Sequence, residues 1–210
     1  YLICGLAGKD SLRWVCAGDP AQMISPGCSF TFDGLKQTLL SLREGIEHQL
    51  SDAVHHLVVN YRTTRDVLQL GNAILAVARR EFPNAIGYSP PETSKKDLGI
   101  KVLLCDWKMA LSQKVRLGQN QALIYSSDDV GGFGDKAKDW VGAHPFILSS
   151  LDSKGLEFDD VIIAFDVDRK VWNVGKQSAA SLRLLRELYV AVTRAQRRVV
   201  ILVKNQTSSM

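Results

Sequence analysis

The feature that most restricts the fold is a change of period that repeats along the chain. From residue 100 onward, short apolar runs take turns with segments whose apolar residues recur every three or four positions. The runs are IKVLLC (100–105), QALIYSS (121–127), PFILSSL (145–151), DVIIAFD (160–166) and RRVVILV (197–203). Between them WKMALSQKVRL (107–117), DKAKDWVG (135–142) and SLRLLRELYVAVTRAQ (181–196) read as helices. Runs that are apolar throughout predict strands buried on both faces. Strands separated by helices predict an α/β fold, a parallel sheet with helices on both faces.

The first part of the chain extends the pattern. LRWVCAG (12–18) reads as a strand ending at a glycine, and FDGLKQTLLSLREGI (32–46) as a helix with Leu35, Leu39, Leu42 and Ile46 on one face and Asp33 as N-cap. AVHHLVVNY (53–61) reads as a further strand. The helix after it is opened by Thr63 or Thr64, carries Val67, Leu70, Ile74 and Val77 on one face, and stops before Pro83. YSPPETSKKD (88–97) and GGFGD (131–135) read as loops. A boundary near residue 50 divides the chain into residues 1–50 and 51–205.

Composition excludes little. The 210 residues carry a formal net charge of +4, which permits a nucleic-acid partner without demanding one. Cys4, Cys16, Cys28 and Cys105 form no CxxC pair, which predicts reduced thiols in an intracellular protein. His55 and His56 would point to opposite faces of a strand, a poor start for a metal site. No apolar run reaches the roughly 20 residues that span a bilayer, and no signal peptide is evident, so no membrane is expected. Tyr1 already lies inside an apolar run, and the sequence is expected to continue upstream of it.

Chemistry concentrates where strands meet loops. GLAGKDS (5–11) has a lysine after glycines, but only Leu6 and Ala7 separate Gly5 from Gly8-Lys9, too few to wrap a phosphate, and Asp10 would repel one. WVCAGDPAQMI places Asp19 and Gln22 beyond a strand, where the neutral amide of Gln22 suits a phosphate or its attacking water; an ordinary Asp-Pro turn is the competing possibility. Asn60, Tyr61 and Arg62 close another strand just before a helix start, and helix N-termini attract anions; a solvated arginine is the alternative. In KGLEF, Gly155 allows a tight turn or a close approach. Leu156 and Phe158 share one side of an extended segment, and Glu157 points the other way. Glu157 either binds a ligand or pairs with a nearby cation. Arg194 sits in a stretch otherwise fit for burial, and a buried arginine needs an anionic partner, whether ligand or carboxylate. Ligands of parallel sheets bind at the carboxyl ends of strands, which is where such a site is expected.

Taken in order, Gly-Asp-x-x-Gln, Asn-Tyr-Arg, Lys-Gly-Leu-Glu-Phe and Leu-Tyr-Val-Ala-x-Thr-Arg-Ala resemble motifs III, IV, V and VI of the UvrD/Rep-type superfamily 1 helicases, over residues 12 to 203. GDPAQMISPGCSFTFDGLK and SKGLEFDDV look closest to the UvrD-like modules of large tetratricopeptide-and-ankyrin-repeat proteins. The resemblance implies a RecA-like second domain (residues 51–205) preceded by the end of a first RecA-like domain (residues 1–50). ATP and Mg²⁺ would bind between the two. The phosphate-binding loop and the metal ligands would lie in the missing N-terminal part of the first domain, upstream of Tyr1, so residues 1–210 alone should not turn over ATP. By the same resemblance Gln22 senses the γ-phosphate, Arg62 and Arg194 approach it as catalytic cations, and Glu157 binds the ribose. Asp19, Tyr61 and Gly155 complete that nucleotide site. Ser149, Ser150, Ser153 and Lys154 would meet a single strand of DNA or RNA. Ser149 and Leu151 stand where the family has Thr-x-His, which touches the coupling between nucleotide and nucleic acid. Three functions fit: the C-terminal half of an ATP-dependent helicase or translocase, a nucleotide-gated regulatory or scaffold module without strand separation, and a degenerate structural domain.

Overall fold

The computed structural model describes residues 17–25, 27, 31–42, 55–87, 89–96, 102–106, 116–127, 133–142, 144, 146–165 and 178–203. In chain order a 3₁₀ turn, Pro20–Gln22, precedes α1 (Phe32–Leu42), β1 (Val59–Thr64), α2 (Arg65–Glu81), β2 (Thr93–Lys96), β3 (Val102–Asp106) and β4 (Gln121–Tyr125). Then come α3 (Phe133–Val141), β5 (Ile147–Ser149), β6 (Phe158–Ala164), α4 (Ala179–Thr193) and β7 (Ala195–Val203). The near-P-loop at 5–11, most of the strand at 12–18 and of the helix at 107–117, the boundary near residue 50 and the tail after residue 203 lie outside the described residues.

β3 to β7 form a five-stranded sheet in the order β3-β7-β6-β4-β5, every neighbouring pair parallel. The apolar runs explain it. On β6, Val161 and Ile163 face one layer while Ile162 and Ala164 face the other; Ala122 and Ile124 against Leu123 repeat this on β4. α2 and α4 cover the first face, through Val67, Ile74, Leu185, Tyr189 and Val192 among others. α3 covers the second through Ala137 and Trp140. The expected architecture, with both faces of a parallel sheet buried, is the one observed. Where α2 and α4 cross, Gly71 brings the backbone so near the Tyr189 ring that a Cβ there would lie 3.6 Å from it.

Four local expectations change. Thr31, not Asp33, caps α1: its Oγ1 accepts the Gly34 N–H at 2.9 Å, and Asp33 lies in the first turn. Phe133 to Asp135, read as loop, already belong to α3. The polar stretch 88–97 contains β2, which pairs in parallel with β1 as a separate two-stranded sheet. β2 has no apolar pattern because it is held by polar groups: Asn72 takes and gives hydrogen bonds to the Glu92 backbone, and Ser94 Oγ donates to the Thr63 carbonyl at 2.6 Å. Finally, α4 ends at Thr193, so Arg194 is its C-cap rather than an interior residue and Gln196 belongs to β7.

Among the described residues no helix is long and apolar enough to cross a membrane. No group of three or more His, Cys, Asp and Glu is placed to hold a metal among them.

Candidate functional site

Asp19 organises the first piece of the site. Its backbone is extended, Pro20 starts the 3₁₀ turn, and its Oδ1 accepts the Ala21 N–H at 2.9 Å. Its Oδ2 accepts from Gln22 Nε2 at 2.9 Å and from the Tyr189 hydroxyl at 3.3 Å. The Gln22 amide is thereby turned so that its oxygen meets Arg194 Nη2 at 3.1 Å. Burial first, and then the charge of Asp19, hold the Tyr189 hydroxyl well above its ordinary value, so it stays a proton donor. Arg186 links the same segment to the turn after α2, donating to the Met23 and Ala85 carbonyls at 3.5 and 2.6 Å.

Arg194 is 4% exposed. Its donors go to neutral oxygens: Nε to the Val190 carbonyl, Nη1 to the Leu156 carbonyl, and Nη2 to Gln22 and to Thr193 Oγ1, all at 3.1–3.2 Å. No carboxylate is bonded to it among the described residues. Burial, and next the neighbouring Arg62, lower its affinity for its proton from the ordinary value, while Glu157 acts the other way. Arg62 lies inside β1, not beyond it. Asn60 puts it there: the Asn60 side-chain oxygen accepts both the Arg62 and the Thr63 N–H at 2.9 Å, and the strand register slips between Asn60 and Thr64. Arg62 Nη1 meets Glu157 Oε1 at 2.6 Å, Nη2 donates to the Thr193 carbonyl at 3.2 Å, and Nε is buried with no partner. Both guanidiniums thus sit at the carboxyl end of α4, where the helix's partial negative charge offsets part of theirs.

Glu157 reaches this pair from a turn. Gly155 has φ +86°, a backbone conformation open to glycine, while an added Cβ would meet nothing within 4 Å. The glycine therefore serves the turn, and no group of the chain itself packs against it. Leu156 and Phe158 do not share an anchored side as expected. Phe158 is buried, but Leu156 is 41% exposed and contributes its carbonyl to Arg194, because β6 and its alternation start only at Phe158. Glu157 does point away from the core; its Oε2 accepts from Gln196 Nε2 at 3.1 Å. Tyr61 is 71% exposed beside Arg62.

The loop expected to carry a nucleic-acid surface is more closed than its composition implies. Ser150 and Ser153 are fully buried; Ser153 Oγ donates to the Ser150 carbonyl at 2.8 Å, and Ser150 Oγ accepts the Ser127 N–H at 3.2 Å. Ser149 Oγ donates to Asp152 at 2.6 Å. Lys154 is exposed.

Asp19, Gln22, Arg62, Glu157 and Arg194, far apart in sequence, form one network, and Tyr61 and Gly155 border it. It does not lie at the carboxyl ends of the sheet strands. Glu157 immediately precedes β6 and Arg194 immediately precedes β7, with the Phe158 N–H bonded to the Arg194 carbonyl at 2.9 Å. α4 runs back from the carboxyl to the amino ends and delivers its C-cap there. Gln196, Thr193 and Tyr189 were not anticipated as members. Thr193 contributes a backbone carbonyl, which no residue type signals.

In the body of α4, at the carboxyl end of β4, stands a second cluster. Glu187 is 1% exposed and accepts from Ser126 Oγ at 2.8 Å, Ser127 N–H and Arg183 Nε at 3.0 Å, and Ser127 Oγ. Burial would raise its carboxyl, but the side-chain bonds from Ser127 and Ser126, the Ser127 backbone and Ser150 outweigh it and hold the group below its ordinary value.

No family model matches the chain. It is 25% identical over 174 residues to the TPR and ankyrin repeat-containing protein 1 of Homo sapiens, an alignment that takes in 74% of this chain and 6% of that protein. Among solved structures it resembles the PRRSV helicase, with a TM-score of 0.37 and 14% identity over 74% of this chain and 25% of the other. The C-terminal domain of a possible DNA helicase from Lactobacillus plantarum gives a TM-score of 0.37 and 17% identity, over 71% of this chain and 91% of that domain. At this degree of superposition, any functional reading rests on the site's own residues.

Proposed function

We propose that this chain supplies the arginine-bearing half of an ATP site in a UvrD/Rep-type superfamily 1 helicase or translocase. One observation carries the proposal: two guanidiniums converge at the amino ends of β6 and β7 with a single bonded carboxylate between them, one guanidinium buried without a counter-ion and the other with an orphaned Nε. A buried cation in that position has unmet demand for negative charge. A polyphosphate meets it, and arginine's planar fork suits phosphate oxygens. In this assignment Arg62 and Arg194 stabilise charge on the transferred phosphoryl group, Gln22 orients toward the γ-phosphate under the control of Asp19, Glu157 accepts from the ribose hydroxyls, and Tyr61, exposed and next to Arg62 in sequence, offers its ring to a base. The residues present fit ATP on its γ-phosphate side. Mg²⁺, which would neutralise the phosphates, is assigned no ligand among them.

The test is steady-state ATP hydrolysis by the full-length polypeptide. Arg62→Ala and Arg194→Ala should each lower kcat by about 10²-fold or more, with ATP binding weakened less. Wild-type turnover by Arg194→Ala would return that arginine to a structural role.

A second function, a nucleotide-gated module that does not grip a strand, draws on the loop after β5, where Ser150 and Ser153 are buried and Ser149 is bonded to a carboxylate. Filter binding to single strands separates the two. A motor should bind through the nucleic-acid backbone, with affinity falling steeply between low and physiological salt. Absence of binding at either salt selects the gated module.

A further inference from the structure

Glu157 is held by two different donors, one on each oxygen: Arg62 Nη1 at 2.6 Å on Oε1 and Gln196 Nε2 at 3.1 Å on Oε2. The two donors differ in kind. Arg62 is a cation that an anionic ligand would compete for. Gln196 is neutral, is the second residue of β7, and has nothing to offer a phosphate that a water could not. The Arg62–Glu157 pair is also placed to open. Its side chains are 36% and 41% exposed, so water screens it and little is lost on parting them. Arg62 would not drift when released, because Nη2 remains on the Thr193 carbonyl.

We propose that Glu157 is an internal counter-ion that occupies Arg62 in the unliganded molecule and exchanges onto the ribose when nucleotide arrives, with Gln196 the positioning residue that keeps the carboxylate in reach during the exchange. This rests on the ATP reading given above and adds an order of events to it: the group that recognises the sugar is the group that masks the phosphate-facing cation. Free phosphate chains then bind against competition from Glu157, whereas a nucleotide removes its own competitor by offering hydroxyls. The device discriminates a nucleoside triphosphate from bare polyphosphate.

The consequence is a pair of effects of opposite sign from one isosteric change. In calorimetric titrations of the full-length polypeptide, Glu157→Gln should bind inorganic tripolyphosphate about threefold more tightly than wild type, the scale of a half-exposed ion pair. The same variant should bind ATP about tenfold more weakly, the scale of hydrogen bonds to a charged acceptor. Gln196→Ala should weaken ATP a few-fold and leave tripolyphosphate unchanged, which a merely structural glutamine would not do. Tripolyphosphate affinity that is unchanged or reduced in Glu157→Gln overturns the counter-ion, even if ATP loses its tenfold; in that case the ribose contact and the anion site both stand. Failure of wild type and variant alike to bind either polyanion overturns the ATP reading itself, and the exchange with it.

Discussion

The two arginine–carboxylate clusters of this chain sit on one helix, one along its body and one at its carboxyl end, and use nearly the same parts. At the carboxyl ends of the strands, Arg183 and Glu187 are tied together with Ser126 and Ser127, and the carboxylate's oxygens are filled by donors from the loop after β4 and from its own helix. At the amino ends, Arg62 is bonded to one carboxylate and Arg194 to none, and a guanidinium nitrogen of Arg62 is left buried without a partner. The first cluster is deeply buried around its carboxylate and complete; the second is half-open and short of negative charge. Complete polar networks fix structure, and an incomplete one leaves bonding that a ligand can finish. An arginine beside a carboxylate therefore carries no functional meaning until the donors and acceptors around it are counted.

The largest expected effect tests the complete cluster. Glu187→Ala should cost about 3 kcal/mol of folding stability, because it leaves Arg183 and several donors without their partner. Thermal or urea unfolding measures it. Arg194→Ala should lower the midpoint by less than half as much, since its partners are neutral oxygens; an equal loss would erase the distinction between the clusters. Next, pH should change the stability that the complete cluster contributes. The folded Glu187 carboxyl titrates below its ordinary value of 4.5, so its contribution is fully present above that value and is lost as pH falls through the folded one. A Glu187→Gln variant should start less stable and lose less between neutral and acid pH; parallel pH curves for variant and wild type would contradict this. Smaller still, Glu157→Gln should weaken ATP more than 2′,3′-dideoxy-ATP by roughly tenfold, since the latter lacks the hydroxyls. Equal losses would leave Glu157 as the partner of Arg62 and nothing more. The smallest effect is at the turn: Gly155→Ala should cost about 1 kcal/mol through its positive φ alone, there being room for the methyl group. A loss several times larger would mean that the turn is also packed.

The sheet was readable because burial on both faces writes apolar runs into β4, β6 and β7, and helices α2 and α4 because their buried faces recur at helical spacing. β2 was not, since a strand held by Asn72, Ser94 and backbone groups leaves no hydrophobic trace. At the site, Gln22, Arg62, Glu157 and Arg194 were legible as polar residues beside apolar runs, and they do converge. Their location at the amino ends was not, because that depends on α4 ending at Thr193, and helix ends shift by a residue or two without altering the apolar period. Serines 150 and 153 show the reverse failure. A hydroxyl in a loop suggests a contact, but these two satisfy backbone and loop groups instead.

That both clusters hang from α4 gives its length a meaning that loop lengths lack. Seven positions separate Glu187 from Arg194, and at about 100° and 1.5 Å per residue they turn through just under two revolutions and advance about 10 Å. The two side chains consequently leave the helix axis nearly in phase. One inserted residue between them would swing Arg194 about 100° around the axis, away from Gln22 and Leu156, even with every other residue intact. The spacing is a clocking constraint as well as a distance, and no compensating change of side chain at either end could restore it.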